Sequence, residues 1–203
     1  MKKLVLALSL ASVGFISAEA IAQDSPWLVR ARVVNIDTAN KSDQVGGVGA
    51  EDRITVGKKT IPEIDISYFF SPNVSAELIL TYPQKHDVYL DGNNIGTFKH
   101  LPPTLSAQYH FAPNASINPY LGVGVNYTNI SKVNLLGGKG SLESSSFGLS
   151  FQAGVDFAID KNWSLNLDVK KVQIRSDVKI AGAKASAVKV DPLLIGVGVG
   201  YRF

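Results

Sequence analysis

No cysteine occurs in the 203 residues, so disulfides and thiolate metal sites are excluded. Histidine is scarce: His86, His100 and His110 are the full set, and they lack ligand spacing for a metal. The formal charge is only +3, with no basic stripe of the kind that binds nucleic acid. Past the first residues, no apolar run approaches the roughly 20 residues of a membrane helix. Helix-period patterns are scarce as well. A chain of this kind that enters a membrane must do so with strands.

The start stands apart from the rest. Lys2 and Lys3 precede an apolar run from Leu4 to Ile16, and Ala20-Ile21-Ala22 follows before Gln23. Residues 1–22 read as a cleaved secretory signal, since the run is too short for a membrane anchor. Residues 23–203 are then one domain of about 180 residues. Loss of Lys2, Lys3 and Glu19 brings the formal charge from +3 to about +2.

What the sequence has in abundance is period-two alternation. Runs start near Trp27, Pro62, Val74, Thr104, Ile117, Phe147, Trp163 and Leu193. Three of the links between them are short and polar: Ser71-Pro72-Asn73, the turn at Pro113-Asn114, and Asp160-Lys161-Asn162. The other four are long and rich in Gly, Asn, Ser and Lys: Asp37 to Thr60, Pro83 to Lys99, Thr128 to Ser146 and Arg175 to Ala187. An even strand count with short turns at one end and long loops at the other is the plan of an all-β, eight-stranded antiparallel transmembrane barrel. Tyr68, Phe69, Tyr109, Phe111, Tyr120, Phe157, Trp163, Tyr201 and Phe203 lie near the short-turn end, as one aromatic girdle would.

The last strand sets the facing. Gly196, Gly198 and Gly200 share one side, and Leu193, Ile195, Val197, Val199, Tyr201 and Phe203 share the other. A soluble barrel would turn the bulky side inward and leave a surface of glycine. With lipid outside, the glycines face a narrow lumen that has little room for side chains. The same Gly-Val repeats, at Gly122–Gly124 and Gly196–Gly200, lack the helix start and Gly-Lys-Ser of a phosphate loop.

The inward face then reads in layers. Arg30, Arg32, Lys170 and Arg202 are basic, and Glu63, Asp65, Glu77, Asp156 and Asp168 acidic. Charges enclosed together must pair, so they form a polar plug rather than a row that conducts ions. Above them Val34, Ile79, Thr81, Thr104, Ser106, Asn126 and Leu194 are neutral, an apolar funnel open to the outside. A solute entering it could not cross the charges and would leave sideways. Pro83, Pro102 and Pro103 each remove a ladder donor at one rim; they mark either a lateral seam or strand ends kept from extending. The histidines read as solvated or rim groups, with no Ser-His-carboxylate spacing for catalysis. Leu136-Gly137-Gly138-Lys139-Gly140 reads as a mobile exterior segment. Lys85, Lys99, Lys132, Lys139 and Lys184 sit where lipopolysaccharide phosphates or plain water would meet them.

Three stretches carry a resemblance: HLPPTLSAQYHFAPNASINPYLGVGVNYT (His100 to Thr128), SFGLSFQAGVDFAIDKNWSLNLDV (Ser146 to Val169) and VDPLLIGVGVGYRF at the end. They resemble the OmpW family of outer-membrane proteins. The two first long loops match nothing in it, and Leu193 stands where some relatives carry an aromatic. The resemblance implies an outer-membrane channel of a Gram-negative cell that takes up small hydrophobic molecules, as the related alkane-uptake protein AlkL does, with no catalysis and no cofactor. It also implies the alternative of a barrel that serves only as structure or as a phage or bacteriocin receptor. The expected partners are outer-membrane lipid, lipopolysaccharide, the solute, and the outer-membrane assembly machinery acting on the terminus at Tyr201 and Phe203.

Overall fold

A computed structural model describes residues 25–203, so the expected signal segment lies outside the described residues. The chain folds into strands throughout. β1 (Trp27–Asp37) leads to the short β2 (Lys41–Ser42) and β3 (Ile54–Val56). β4 (Lys59–Ser71) and β5 (Val74–Leu80) are followed by a hairpin of β6 (Gln84–Leu90) and β7 (Asn93–Leu101). Next come β8 (Thr104–His110), β9 (Ile117–Leu135), a 3-10 turn at Leu136–Gly138, and β10 (Gly140–Leu142). β11 (Ser145–Ala158) and β12 (Trp163–Val172) precede a second hairpin, β13 (Arg175–Ile180) and β14 (Ala183–Lys189), and β15 (Leu193–Arg202) ends the chain.

Eight of these close on themselves in the order β1, β4, β5, β8, β9, β11, β12, β15, every pair antiparallel. The closing ladder runs from Leu28 opposite Arg202 to Asp37 opposite Leu193. Closure leaves no unpaired edge, the condition for crossing a bilayer with strands. Leu121, Val123, Val125, Leu165, Leu167, Ile195 and Val197 are exposed on the outside, while Arg30, Arg32, Asp65, Glu77, Asp168 and Lys170 are buried within. That is the reverse of a water-soluble barrel and the arrangement lipid requires.

The glycines fit this facing. A Cβ on Gly198 would overlap the Ala31 carbonyl oxygen and lie 2.8 Å from Arg32 Cα, and one on Gly154 would overlap the Tyr120 ring. Glycine gives up side-chain packing on these strands so that arginine and tyrosine can fill the lumen.

Short turns close the lower end. At the last of them, Asp160 Oδ1 accepts from the Asn162 and Trp163 amides at 2.8 and 2.7 Å, a local bond that mimics a backbone turn. Aromatic rings circle this rim in edge-on pairs: Trp27 with Tyr68 at 4.9 Å, Tyr109 with Phe111 at 5.1 Å, Trp163 with Tyr201 at 4.9 Å. Two expected members are not in the girdle. Phe69 and Tyr120 are buried inside the lumen, because each falls on the inward parity of its strand. Phe70, exposed beside Tyr68 at 5.1 Å, takes a place the sequence reading had not given it.

The long connections are not bare loops. They rise as β-ribbons above the belt: β3 pairs β6, β6 pairs β7, β7 and β10 pair β9, and β13 pairs β14. Leu136–Gly140, expected to be a mobile segment, holds the 3-10 turn and the start of β10. Between the ribbons Ile54, Val56, Val88, Phe98, Ile130, Leu135, Ile174, Val178 and Val188 form a buried aliphatic core.

Candidate functional site

The lumen divides into a charged floor and an apolar chamber. In the floor, Arg30 Nε and Nη2 donate to the two Asp156 oxygens at 3.1 and 2.7 Å. Its Nη1 reaches Asp65 at 3.4 Å, Glu77 at 3.3 Å and the Ser67 hydroxyl at 3.2 Å. Arg32, one inward position higher on β1, meets Asp65 at 2.6 Å, Glu63 at 3.3 Å and the Asn166 amide oxygen at 2.6 Å. Lys170 donates to Glu63 and lies 3.3 Å from Asp168. Neutral groups bind the rest: the Tyr120 hydroxyl donates to Asp168 at 2.8 Å, and Gln152 donates to Glu77 at 3.0 Å and to Asp168 at 2.6 Å. Strand alternation delivers every one of these side chains, from six different strands, to one level of a barrel too narrow for a water-filled path.

Above Glu63 and Lys170, Ile36, Ile61, Ile79, Val172, Ile174 and Leu194 surround a cavity of about 30 Å³. That is room for one water-sized group. A second cavity of about 20 Å³ lies among the ribbons, between Val88, Phe98, Ile130 and Val188. Ile174 lines both. The two cavities thus share an apolar lining at Ile174, and side chains fill the space between them.

The wall beside the lower cavity is interrupted. The β4–β5 ladder ends at Ile64 opposite Leu80, and pairing resumes above at Gly57, whose amide donates to the Asp87 carbonyl at 3.0 Å. Among the described residues no backbone hydrogen bond joins 59–63 to 81–86. Pro62 and Pro83 sit on the two sides of this gap, and the Thr81 hydroxyl donates to the Pro62 carbonyl at 3.4 Å. The β5–β8 ladder also stops, at Ile79 opposite Thr104. On the far side of β8 the wall is sutured: Tyr127 N–H donates to the Pro103 carbonyl at 3.1 Å, and the Asn126 amide donates to the carbonyls of Pro102 and Pro103, both at 3.2 Å. The broader break is thus between β4 and the β5–β6 junction, next to the place where the sequence put the seam.

Of the residues expected in the funnel, Ile79, Thr81, Thr104, Asn126 and Leu194 line the lower cavity. Val34 packs on Ile36 and Ile61 just beside it, and Ser106 lies lower, opposite Glu77. Of the expected floor, Arg30, Arg32, Glu63, Asp65, Glu77, Asp156, Asp168 and Lys170 come together. Arg202 is instead at the lower mouth, its guanidinium 4.2 Å from the Phe69 ring and its Nε 3.4 Å from the Ser25 carbonyl. Lys85, Lys132, Lys139 and Lys184 are exposed on the ribbons, with Lys99 half-buried opposite Lys85. Lys184 pairs with Asp177 at 2.8 Å.

The histidines depart from expectation. None is solvated. His86 and His100 are buried, their rings 4.7 Å apart and edge-on. Both belong to β6 and β7, outside the membrane belt. Burial lowers both basicities, His100 to a pKa of about 3. His110 faces the lumen near the lower mouth, between the Ser75 hydroxyl at 3.2 Å and the Asn118 amide at 3.1 Å. Sequence reasoning also missed Ile36, Ile61, Gln84, Val172 and Ile174, which lie just past the strand ends it drew.

A closed barrel of alternating strands, greasy outside and ion-paired inside, defines an outer-membrane β-barrel. The chain belongs to the OmpW family, whose family model matches residues 23–203. It is 39% identical over 186 residues to the uncharacterized outer-membrane protein y4mB of Sinorhizobium fredii, covering 88% of this chain and 80% of that one. It is 31% identical to outer membrane protein W of Escherichia coli over the full length of both. The crystal structure of OprG from Pseudomonas aeruginosa superposes with a TM-score of 0.78 at 26% identity, covering 89% of this chain and 97% of that one.

Proposed function

We propose that the barrel takes up small apolar solutes without catalysis. The solute enters between the ribbons, descends along the aliphatic lining, and leaves through the gap between β4 and the β5–β6 junction into lipid. The observation that carries this reading is the position of the break: it lies at the level where the aliphatic chamber meets the charged floor. Apolar walls lower the cost of leaving water, by about 25 cal/mol for each Å² of apolar surface covered. The ion-paired floor bars the way down, since an apolar solute passing it would have to separate buried charges. Pro62 and Pro83, without amide donors, keep the ladder from sealing at that height.

The reading agrees with a relative from Pseudomonas aeruginosa, 24% identical over 195 residues, which is named for an operon of dibenzothiophene metabolism. A receptor or purely structural role rests on the ordered, lysine-bearing ribbons, where lipopolysaccharide phosphates would also be met; the C-terminal Tyr201 and Phe203 would be the handle for assembly machinery. Uptake of n-octane by cells with and without the protein separates the two. Faster entry with the protein supports the path. Equal entry, together with loss of phage or bacteriocin sensitivity on exchanging the ribbons, would leave the receptor.

A further inference from the structure

Gln84 and His100 face each other across the β6–β7 ribbon and both line the lower cavity. Gln84 is wholly buried. Its Nε2 donates to the Tyr82 carbonyl at 2.8 Å and the Thr81 hydroxyl at 3.2 Å, which fixes the amide orientation. Its Oε1 then meets no donor among the described residues. His100 is 2% exposed, and neither ring nitrogen has a partner. Beside it, His86 Nδ1 donates to the Gly57 carbonyl at 2.9 Å, so its Nε2 is left as a bare acceptor.

Buried polar atoms are nearly always hydrogen-bonded. Here the His100 nitrogens and Gln84 Oε1 stand at the wall of a chamber whose largest share is aliphatic, with Thr81, Thr104, Asn126, Glu63 and Lys170 completing its lining, and the His86 ring packs beside His100. A few convergent polar groups in an apolar pocket are the usual make-up of a small-molecule site. Burial keeps His100 neutral near pH 7, its pKa lowered to about 3, so one nitrogen donates and the other accepts.

We propose that this cluster receives the hydroxyl group of an otherwise apolar solute, a hydroxylated hydrocarbon such as an alkanol. The hydroxyl oxygen accepts from the His100 N–H, and its proton goes to Gln84 Oε1. A plain alkane leaves Gln84 Oε1 and both His100 nitrogens unpartnered. A carboxylate can use the single His100 N–H but none of the acceptors, and its charge would be buried above a Glu63–Lys170 pair that is already neutralised. An ammonium meets Lys170 at the same floor. The cavity of about 30 Å³ suits a group the size of one water, and the hydrocarbon tail extends past Ile174 toward the upper cavity. This rests on the uptake reading above and names the class of solute.

The test compares 1-octanol with n-octane in cells that carry the protein and cells that lack it. Gln84→Leu and His100→Phe, near-isosteric and apolar, should each lower the octanol-to-octane uptake ratio by about fivefold, the worth of one hydrogen bond. An unchanged ratio, with both solutes still entering faster than in cells without the protein, overturns the subsite and leaves apolar uptake standing. Entry of neither solute removes the uptake reading and the subsite with it. A second measurement needs no variant: in lipid nanodiscs, the ring nitrogen resonances of His100 should move on titration with 1-octanol and stay fixed with n-octane. Resonances that ignore octanol refute the assignment.

Discussion

Arg30 and Asp156, 126 residues apart in sequence, are joined across the lumen by two parallel hydrogen bonds of 3.1 and 2.7 Å. They tie the first strand of the barrel to β11 on the opposite wall, and Arg30 also holds Asp65 and Glu77. Removing one partner strands buried charge, at a cost of about 3–5 kcal/mol. Arg30→Leu should therefore lower stability by about that amount in urea unfolding from phospholipid vesicles. Replacing Arg30 and Asp156 together by apolar residues should cost less than Arg30→Leu alone.

Space inside the barrel makes a second test. A Cβ at Gly198 would strike backbone, whereas one at Gly122 would meet only side-chain atoms, Gln152 Oε1 at 3.0 Å and Gln108 Cγ and Gln152 Cβ at 3.3 Å. Gly198→Ala should destabilise the barrel by about 1–3 kcal/mol, as overpacking does. Gly122→Ala should cost clearly less in the same unfolding assay. Equal effects would mean that lumen crowding does not dictate where the glycines stand.

The outward face answers to lipid. Val197 is 54% exposed midway along β15, between Val33 and Leu167. Val197→Arg should cost about 2–4 kcal/mol in bilayers, the penalty for a cation near the midplane. The penalty should shrink in detergent micelles, where water reaches the belt more easily.

Closing the wall should slow exit. Pro62→Ala with Pro83→Ala restores amide donors on both sides of the gap, and n-octane uptake should fall. Pro102→Ala with Pro103→Ala should have the smaller effect, because Asn126 and Tyr127 already suture that stretch. Uptake that is unchanged in all four substitutions would mean that the prolines only stop strands from extending.

Acid should loosen the β6–β7 ribbon. Burial holds the His100 pKa at about 3, below its ordinary 6.5, and lowers that of His86 in the same direction. The opened ribbon thus binds protons first as pH falls. The stability these neutral histidines preserve is complete above about 6.5 and is lost as pH drops toward about 3. Amide exchange of β6 and β7, corrected for intrinsic rates, should show less protection at pH 4 than at pH 7, and His100→Phe should flatten the difference.

The barrel strands were legible because lipid outside and charge inside impose strict alternation, and Arg30, Asp65 and Glu77 fall on one parity. That parity also places Phe69 with Ser67 and Tyr120 with Gly122; their nearness to the aromatic rim hid it. The ribbons were not legible, since a segment as short as Ile54–Val56 carries no pattern of its own and pairs with Val88–Leu90, far away in sequence. One local signal was available. Asp91-Gly92, both with positive φ at 51° and 79°, is a hairpin dipeptide inside what read as a loop. The lower cavity was half legible for a related reason: Ile36, Ile61 and Val172 sit where the alternating runs pass from belt to ribbon.

β9 runs unbroken for 19 residues, and its apolar residues change sides partway. Leu121, Val123, Val125 and Tyr127 look outward, while Ile130 and Leu135 look inward. The lower half is an inside-out protein and the upper half an ordinary one, built on a single strand. The chain thereby carries its own waterline, near Asn129 and Ile130. Below that line removal of lipid exposes grease to water; above it, the same removal changes nothing that the aliphatic core between the ribbons depends on.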